Sequence, residues 1–258
     1  MCRIFSFYHE YMHVLLSFIL FIFIPSPALH AEEFNTPPLS YTSVAAYHRS
    51  LPRIHAILDS KQLSFGAPVF VRIFKQENEL ELWIQNQQHY KLYKTYIICF
   101  NSGTLGPKLQ EGDRQSPEGF YQVGYNQMNP WSNYHLAFNL GYPNEYDRYH
   151  KRSGSALMIH GRCSSDGCFA MTDYYMDEIY TLVNEALSHG QRLMQVHIFP
   201  FRFSEQNMKN HQDSPWYPFW TNLKEGYDFF EDHHIPPVIS VVNGRYAVSS
   251  PASIQQLA

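Results

Sequence analysis

Cysteine is scarce in this 258-residue chain, with only Cys2, Cys99, Cys163 and Cys168, which excludes a small scaffold stapled by many disulfides. Charge is thin as well, at 16% of residues, and the net charge of −4 comes with no Lys/Arg cluster. That argues against a nucleic-acid partner, because phosphate binding rests on concentrated basic side chains. The longest apolar run, residues 14–24, is broken only by Ser17 and is too short to span a bilayer as a helix, which takes about 20 residues. No internal repeat is visible. What is abundant is hydrophobic content, 45%, with 19 Tyr and 19 Phe. This is the composition of a globular chain with a substantial core, whose aromatics suit sheets and clefts as well as ordinary packing.

The head of the chain reads as a secretory signal over residues 1–31. Arg3 precedes the apolar run, Pro25-Ser26-Pro27-Ala28 breaks it, and Ala28 or Ala31 offers a cleavage point; an uncleaved anchor is the alternative. Export places the remaining cysteines in an oxidising compartment. Removal of the signal leaves Cys99, Cys163 and Cys168, an odd number, so at least one thiol stays unpaired within the chain. Cys168 is free if Cys99 and Cys163 pair or if both stay buried and reduced, whereas a bridge between Cys163 and Cys168 would consume it.

Residues 32–67 form an N-terminal helical segment, with Val44, Tyr47, Leu51 and Ile54 at helical spacing after a cap at Thr42 or Ser43, despite Pro52. Residues 68–202 are β-rich. The stretches 68–74 (PVFVRIF), 79–85 (ELELWIQ) and 89–100 (HYKLYKTYIICF) alternate or run apolar and predict three strands. A long polar loop over residues 106–119 follows, read as a wide hairpin or a functional element. Residues 126–149, rich in Asn, Tyr and Pro, suit a cleft wall. Met176, Ile179, Tyr180, Val183 and Leu187 share one face of a helix capped by Thr172 and stopped at Gly190, with Asp173 and Asp177 expected on its solvated side. Over residues 203–258 a helix opened by Ser214-Pro215 and a hairpin turning at Asn243-Gly244 form a C-terminal cover. The fold class is mostly β with flanking helices, α+β.

The chemistry is concentrated in residues 159–171, IHGRCSSDGCFAM, where His160 and Cys168 stand eight positions apart with glycines at both ends. A thiol reacts as its thiolate, so it needs an imidazole to take its proton and backbone N–H groups to hold an oxyanion. A helix starting just beyond Cys168 would turn its positive end towards the thiol.

These residues resemble the YkuD-type L,D-transpeptidase catalytic domain. The likeness rests on Ile159-His160-Gly161, on Ser165-Asp166-Gly167-Cys168, and on the loop Gly112-Asp113-Arg114-Gln115-Ser116-Pro117-Glu118-Gly119-Phe120-Tyr121. It is closer to the YafK-like branch through GCFAM, Gly141-Tyr142-Pro143-Asn144 and the strand end at residues 197–202. The resemblance implies a β-sandwich or barrel with a helix after the cysteine. It implies a periplasmic enzyme without a cofactor that works on peptidoglycan stem peptides through a thioester at the L-centre of the third-position diamino acid. Cys168 would be the nucleophile, His160 the proton acceptor and later donor, and the Gly167 and Cys168 N–H groups the oxyanion donors. Closure by an amine makes a cross-link and closure by water cuts one; the YafK-like branch is associated with release of peptidoglycan-linked lipoprotein. A carbapenem would leave an adduct on Cys168. Two departures from the family stand out: a short segment between His160 and Cys168, and Ala170 where arginine is common.

For substrate contacts the sequence offers Arg162, Ser165, Arg114 and Tyr142, with Lys108, Arg148 and Trp131 behind them. Two rival readings remain. His160, Cys163 and Cys168 form an H-x2-C-x4-C run that would hold zinc with a fourth ligand such as His197. Alternatively, the same cleft would bind peptidoglycan without catalysis.

Overall fold

The computed structural model describes residues 36–251, so the signal expected over residues 1–31 lies outside the described residues. Two five-stranded sheets share one core. The first runs in the order β3 (His89–Ile97), β2 (Glu79–Asn86), β1 (Val69–Phe74), β10 (Met194–Phe199), β5 (Gly119–Val123), antiparallel throughout except for the central parallel pair β1 and β10. The second runs β4 (Phe100–Asn101), β9 (Phe169–Ala170), β8 (Met158–His160), β7 (Ala137–Asn139), β6 (Met128–Asn129), with β8 and β9 parallel.

The near-continuous apolar sequence of β1 follows from cover on both faces. Val69, Val71 and Ile73 join Phe138, Ile159 and Phe169 of the second sheet in the main core, while Phe74 joins an aromatic core with Phe199, Phe201 and Trp220. Arg72 is buried in the same strand but fully partnered. It pairs with Glu81 and Glu231, and its guanidinium lies 4.7 Å from the centre of the Phe230 ring and 5.1 Å from that of Trp83.

The stretch expected as one strand over residues 89–100 is divided between the sheets. Ile98 donates its N–H to the Asn78 carbonyl, and the next residue, Cys99, donates to Ala170, so the hydrogen bonding changes sheet at that point. This handover places Cys99 beside the catalytic-motif strands.

Helix α1 (Tyr41–Lys61) begins one residue before Thr42 and is capped by Ser40 rather than Thr42 or Ser43. The Ser40 hydroxyl accepts the Ser43 N–H (3.2 Å) and the Ser43 hydroxyl accepts the Ser40 N–H (2.9 Å). Its buried face is Ser43, Ala46, Ser50, Ile54 and Leu58, and Val44 is exposed. Small residues win this face because α1 lies against α3 (Asp173–Ser188), where Ser50 and Thr181 exchange a hydroxyl hydrogen bond of 3.1 Å. The same contact overturns the expectation for Asp177. It is buried, with Arg49 (2.9 and 3.1 Å) and the His135 ring (2.6 Å) on its carboxylate, while Asp173 is exposed as expected.

After the short helix α2 (Glu145–Tyr149), capped by Asn144, the C-terminal part adds a short helix, α4 (Glu205–Asn210), that the apolar pattern did not reveal. It then adds α5 (Tyr217–His233), which starts after Ser214-Pro215 with Pro218 in its first turn. Phe219, Trp220, Leu223 and Phe230 face the first sheet. Strands β11 (Val238–Val242) and β12 (Arg245–Ser249) form the expected hairpin, with both turn residues, Asn243 and Gly244, at positive φ (50° and 75°).

Candidate active site

The parallel register of β8 and β9 sets Ile159 beside Phe169 and His160 beside Ala170, so Cys168 enters just before β9 while His160 closes β8. Both side chains line a cavity of about 580 Å3, together with Asn129, Trp131, Ser132, Asn133, Tyr134, Ala156, Met158, Ser164, Ser165 and Asp166. The wall at residues 129–134 comes from the Asn/Tyr/Pro-rich stretch.

The cysteine question is resolved by the fold. Cys99 and Cys163 are joined as a disulfide, and Cys168 is the free thiol among the described residues. The zinc reading loses a ligand in the process, because the Cys163 sulfur is bonded to carbon and sulfur and is no thiolate. His197 is not at the site either; it is buried between the Phe70 and Phe120 rings (4.7 and 4.6 Å between centres), and its Nε2 meets Gln195 (2.9 Å).

His160 Nδ1 lies 2.6 Å from the Gly161 carbonyl oxygen. A carbonyl only accepts, so Nδ1 carries the proton and Nε2 is left as the basic nitrogen. Tyr134 packs on the imidazole, with ring centres 4.8 Å apart, and the Arg162 guanidinium lies 5.7 Å from the Tyr134 ring centre. The Cys168 Sγ accepts the Met158 N–H at 3.4 Å and lies 3.6 Å from the Ala156 carbonyl. No hydrogen bond joins imidazole and thiol among the described residues, so the resting pair is side by side rather than engaged.

Burial decides the charge of both groups. It lowers the His160 pKa below the ordinary imidazole value, against the opposing Gly161 hydrogen bond. It raises the Cys168 pKa above the ordinary thiol value, with the nearby Asp166 charge adding and the Met158 N–H and Lys108 opposing. The α3 cap, Thr172, follows β9, and the first helical residue, Asp173, accepts the Arg162 N–H (2.7 Å) on the histidine side. At neutral pH both partners are therefore uncharged. Protonating the imidazole removes the base, so kcat/KM should rise with pH along a limb whose midpoint lies below about 6.5, hold through neutrality, and fall only above about 9 as the thiol ionises and its proton is no longer available for a leaving group. A pH–rate profile checks this, and a plateau beginning only above about pH 8 would contradict it.

Under the thiol lies the polar loop, and it is a foundation rather than a flap. Glu118 is buried and both its oxygens are committed, one to Lys75 Nζ (3.0 Å) and the Gly106 N–H (2.7 Å), the other to Trp220 Nε1 of α5 (2.8 Å). Lys75 Nζ also donates to the carbonyls of Thr104, Gly106 and Ser116. Ser116 in turn donates its hydroxyl to the Cys168 carbonyl (3.1 Å). Asp113 accepts the N–H groups of Leu109, Gln110 and Gln115 and pairs with Lys108.

The family of L,D-transpeptidase catalytic domains, YkuD, matches residues 68–198. The L,D-transpeptidase-family protein YafK of Escherichia coli, in strain K12 and in O157:H7, is 51% identical over 193 residues, covering 75% of this chain and 78% of YafK. The chain belongs to the YkuD L,D-transpeptidase family. Among solved structures, the helical cell shape determining protein Pgp2 from Campylobacter jejuni superposes with a TM-score of 0.43 at 21% identity, over 64% of this chain and 60% of Pgp2.

Within this L,D-transpeptidase domain the residues singled out for the substrate divide. Arg114, at φ 54°, is exposed and stands 3.6 Å from Asp166 at the cavity wall, and Arg162 is exposed above Tyr134. Ser165 lines the cavity but spends its hydroxyl on the Cys168 carbonyl (2.7 Å). Tyr142 is buried away from the cavity, its hydroxyl donating to the Lys108 carbonyl (3.0 Å), because the GYPN turn faces inward. Lys108 is buried with Asp113, and Arg148 lines a separate cavity next to the C-terminal hairpin. The Gly167 N–H, expected at the oxyanion, donates instead to the Ser102 hydroxyl (2.6 Å). Sequence reasoning missed Tyr134, Ser102 and Ser116. Tyr134 sat inside the stretch read as a cleft wall, and Ser116 inside the loop from Gly112 to Tyr121. For Ser102 no local signal existed.

Proposed function

We propose that this protein is an exported, cysteine-dependent acyltransferase acting on peptidoglycan stem peptides at the carbonyl of the L-centre of the third-position diamino acid. Family membership supports a peptidoglycan-acting enzyme. The observation that carries the chemistry is the free Cys168 thiol sharing a cavity wall with His160, whose Nδ1 is pinned and whose Nε2 is therefore the basic nitrogen.

His160 Nε2 takes the Cys168 proton as Sγ bonds to the carbonyl carbon, and the oxygen becomes an oxyanion. Collapse breaks the C–N bond, and the imidazolium returns its proton to the leaving amine, which leaves a thioester on Cys168. An acceptor amine or water then attacks, deprotonated by the same imidazole, and the thiol is regenerated. An amine acceptor gives a cross-link. Water gives a trimmed stem, and it releases lipoprotein where a lipoprotein lysine was the leaving group. Arg114, paired with Asp166, and Arg162, over the Tyr134 ring, are exposed cations at the mouth that suit stem-peptide carboxylates. Action in the periplasm accords with the apolar head at residues 14–24.

The test is product analysis by mass spectrometry of purified protein on defined stem peptides, with and without an acceptor amine, alongside incubation with a carbapenem. New amide or trimmed peptide, and a carbapenem-sized adduct on Cys168, are expected. Tight peptide binding with no product and no adduct would establish the non-catalytic reading instead.

A further inference from the structure

The two peptide planes that flank the Gly167–Cys168 peptide are each held by serine hydroxyls, of which Ser102 and Ser116 are brought from elsewhere in the fold and Ser165 is local. The Gly167 N–H is bound by Ser102 Oγ at 2.6 Å, and the Cys168 carbonyl accepts from Ser165 Oγ at 2.7 Å and Ser116 Oγ at 3.1 Å. Ser102 and Ser116 are locked to one another as well. The Ser116 N–H donates to the Ser102 carbonyl (3.0 Å) and the Ser102 N–H donates to Ser116 Oγ (3.1 Å). Ser116 is fully buried, and the Lys75 ammonium that holds its carbonyl (3.0 Å) anchors the whole arrangement to β1. Between the two pinned planes lies the Gly167–Cys168 peptide. Its N–H, on Cys168, has no hydrogen-bond partner among the described residues.

We propose that Ser102, Ser116 and Ser165 are positioning residues that together aim the unpaired Cys168 N–H at the oxyanion, so that the hole is not built from two consecutive backbone N–H groups. The inference rests on the acyl-transfer reading above. Its physical basis is preorganisation. A backbone donor stabilises an oxyanion only when it already points to where the charge develops, and a peptide plane free to rock loses that advantage at the moment of reaction. Three hydroxyls fix the orientation without consuming the donor. The disulfide and the Asp173 bond hold the His160–Cys168 segment at Cys163 and Arg162, whereas Gly167, at φ 102°, next to the thiol is held through Ser102.

Two reactions of the same thiol separate this role from a general structural one. In acylation by a carbapenem, Sγ bonds to the lactam carbonyl, an oxyanion forms, the C–N bond opens, and the thiol proton passes through His160 to the ring nitrogen. In alkylation by iodoacetamide, Sγ displaces iodide and no oxyanion forms. Both need the thiol deprotonated, so alkylation controls for thiol ionisation and access. In the full-length protein, Ser102→Ala and Ser165→Ala should each slow carbapenem acylation by about tenfold or more, a fraction of what loss of an oxyanion donor costs, with alkylation within about twofold of the parent. Ser102→Thr and Ser165→Thr, which keep the hydroxyl, should restore most of the acylation rate. The proposal is overturned if acylation is unchanged in the alanine variants, or if both reactions slow together. A parent protein that is alkylated but never acylated would instead refute the acyl-transfer reading, and this inference with it.

Discussion

Cys168→Ala should leave a folded protein with no measurable turnover. The proposed thioester needs a nucleophile, and no other described group on the cavity wall is a thiol. Removing a covalent nucleophile from a unit of cooperating groups typically costs at least about 10³ in rate, or about 4 kcal/mol of transition-state stabilisation. The fold should hardly notice. Sγ accepts the Met158 N–H at 3.4 Å and donates weakly to the Ala156 carbonyl at 3.6 Å, and the side chain is only half-buried, so a stability change of about 1 kcal/mol is expected. Turnover and a urea melt, measured on the same sample, check both halves. Activity within about tenfold of the parent would end the covalent mechanism. Cys168→Ser is the sharper control, because it keeps the geometry and changes only the acidity and nucleophilicity of the attacking atom.

The largest stability effect should come from the pair beneath the site. Lys75→Met leaves Glu118 as a buried carboxylate without its counter-ion, and Glu118→Gln leaves Lys75 in the same position. Breaking one side of a buried pair costs about 3–5 kcal/mol. Both side chains are almost wholly inaccessible, and Glu118 also links the polar loop to Trp220 of α5, so neither loss can be repaired by water. For a chain of this size that predicts a fall in Tm of roughly 10 °C. Burial already pushes the Lys75 pKa below the ordinary lysine value, against the pull of Glu118, so removing the carboxylate lets desolvation act unopposed by its strongest counter-charge. The double variant Lys75→Met/Glu118→Gln should be less destabilised than the sum of the singles, because no unpaired charge is left behind. Calorimetry on the four proteins measures the coupling, and strict additivity would show that the pair is not the keystone described here.

How much of this was legible beforehand depends on the range of the interactions. Strand identity in β1 and β2, the Thr172 cap and the Asn243-Gly244 hairpin are local matters of period and turn chemistry, and the sequence pattern showed them. His160 and Cys168 were legible as a candidate pair because the two lie in one short segment. The face of α1 was misread because its contacts with α3 favour small polar residues such as Ser50 over Val44, which no hydrophobic count rewards. The same reasoning explains Asp177, whose partners Arg49 and His135 lie far away in sequence. Tyr142 and Lys108 looked like surface candidates because their cover arrives from a loop and a turn that only the folded chain brings together. Parity of the cysteines required an unpaired thiol but not which one, and the change of sheet at Cys99 is what settled it.

The covalent link from Cys99 to Cys163 ties the segment between His160 and Cys168 to the seam where the chain changes sheets. Closing a ring across a sequence separation of 64 is worth about 4 kcal/mol against the unfolded chain in the entropic account. The same bond makes maturation sequential. In the proposed mechanism a freshly made, reduced polypeptide carries four sulfhydryls, Cys2 among them, and a slack segment between His160 and Cys168, and it would become competent only after an oxidant had joined Cys99 to Cys163 and spared Cys168.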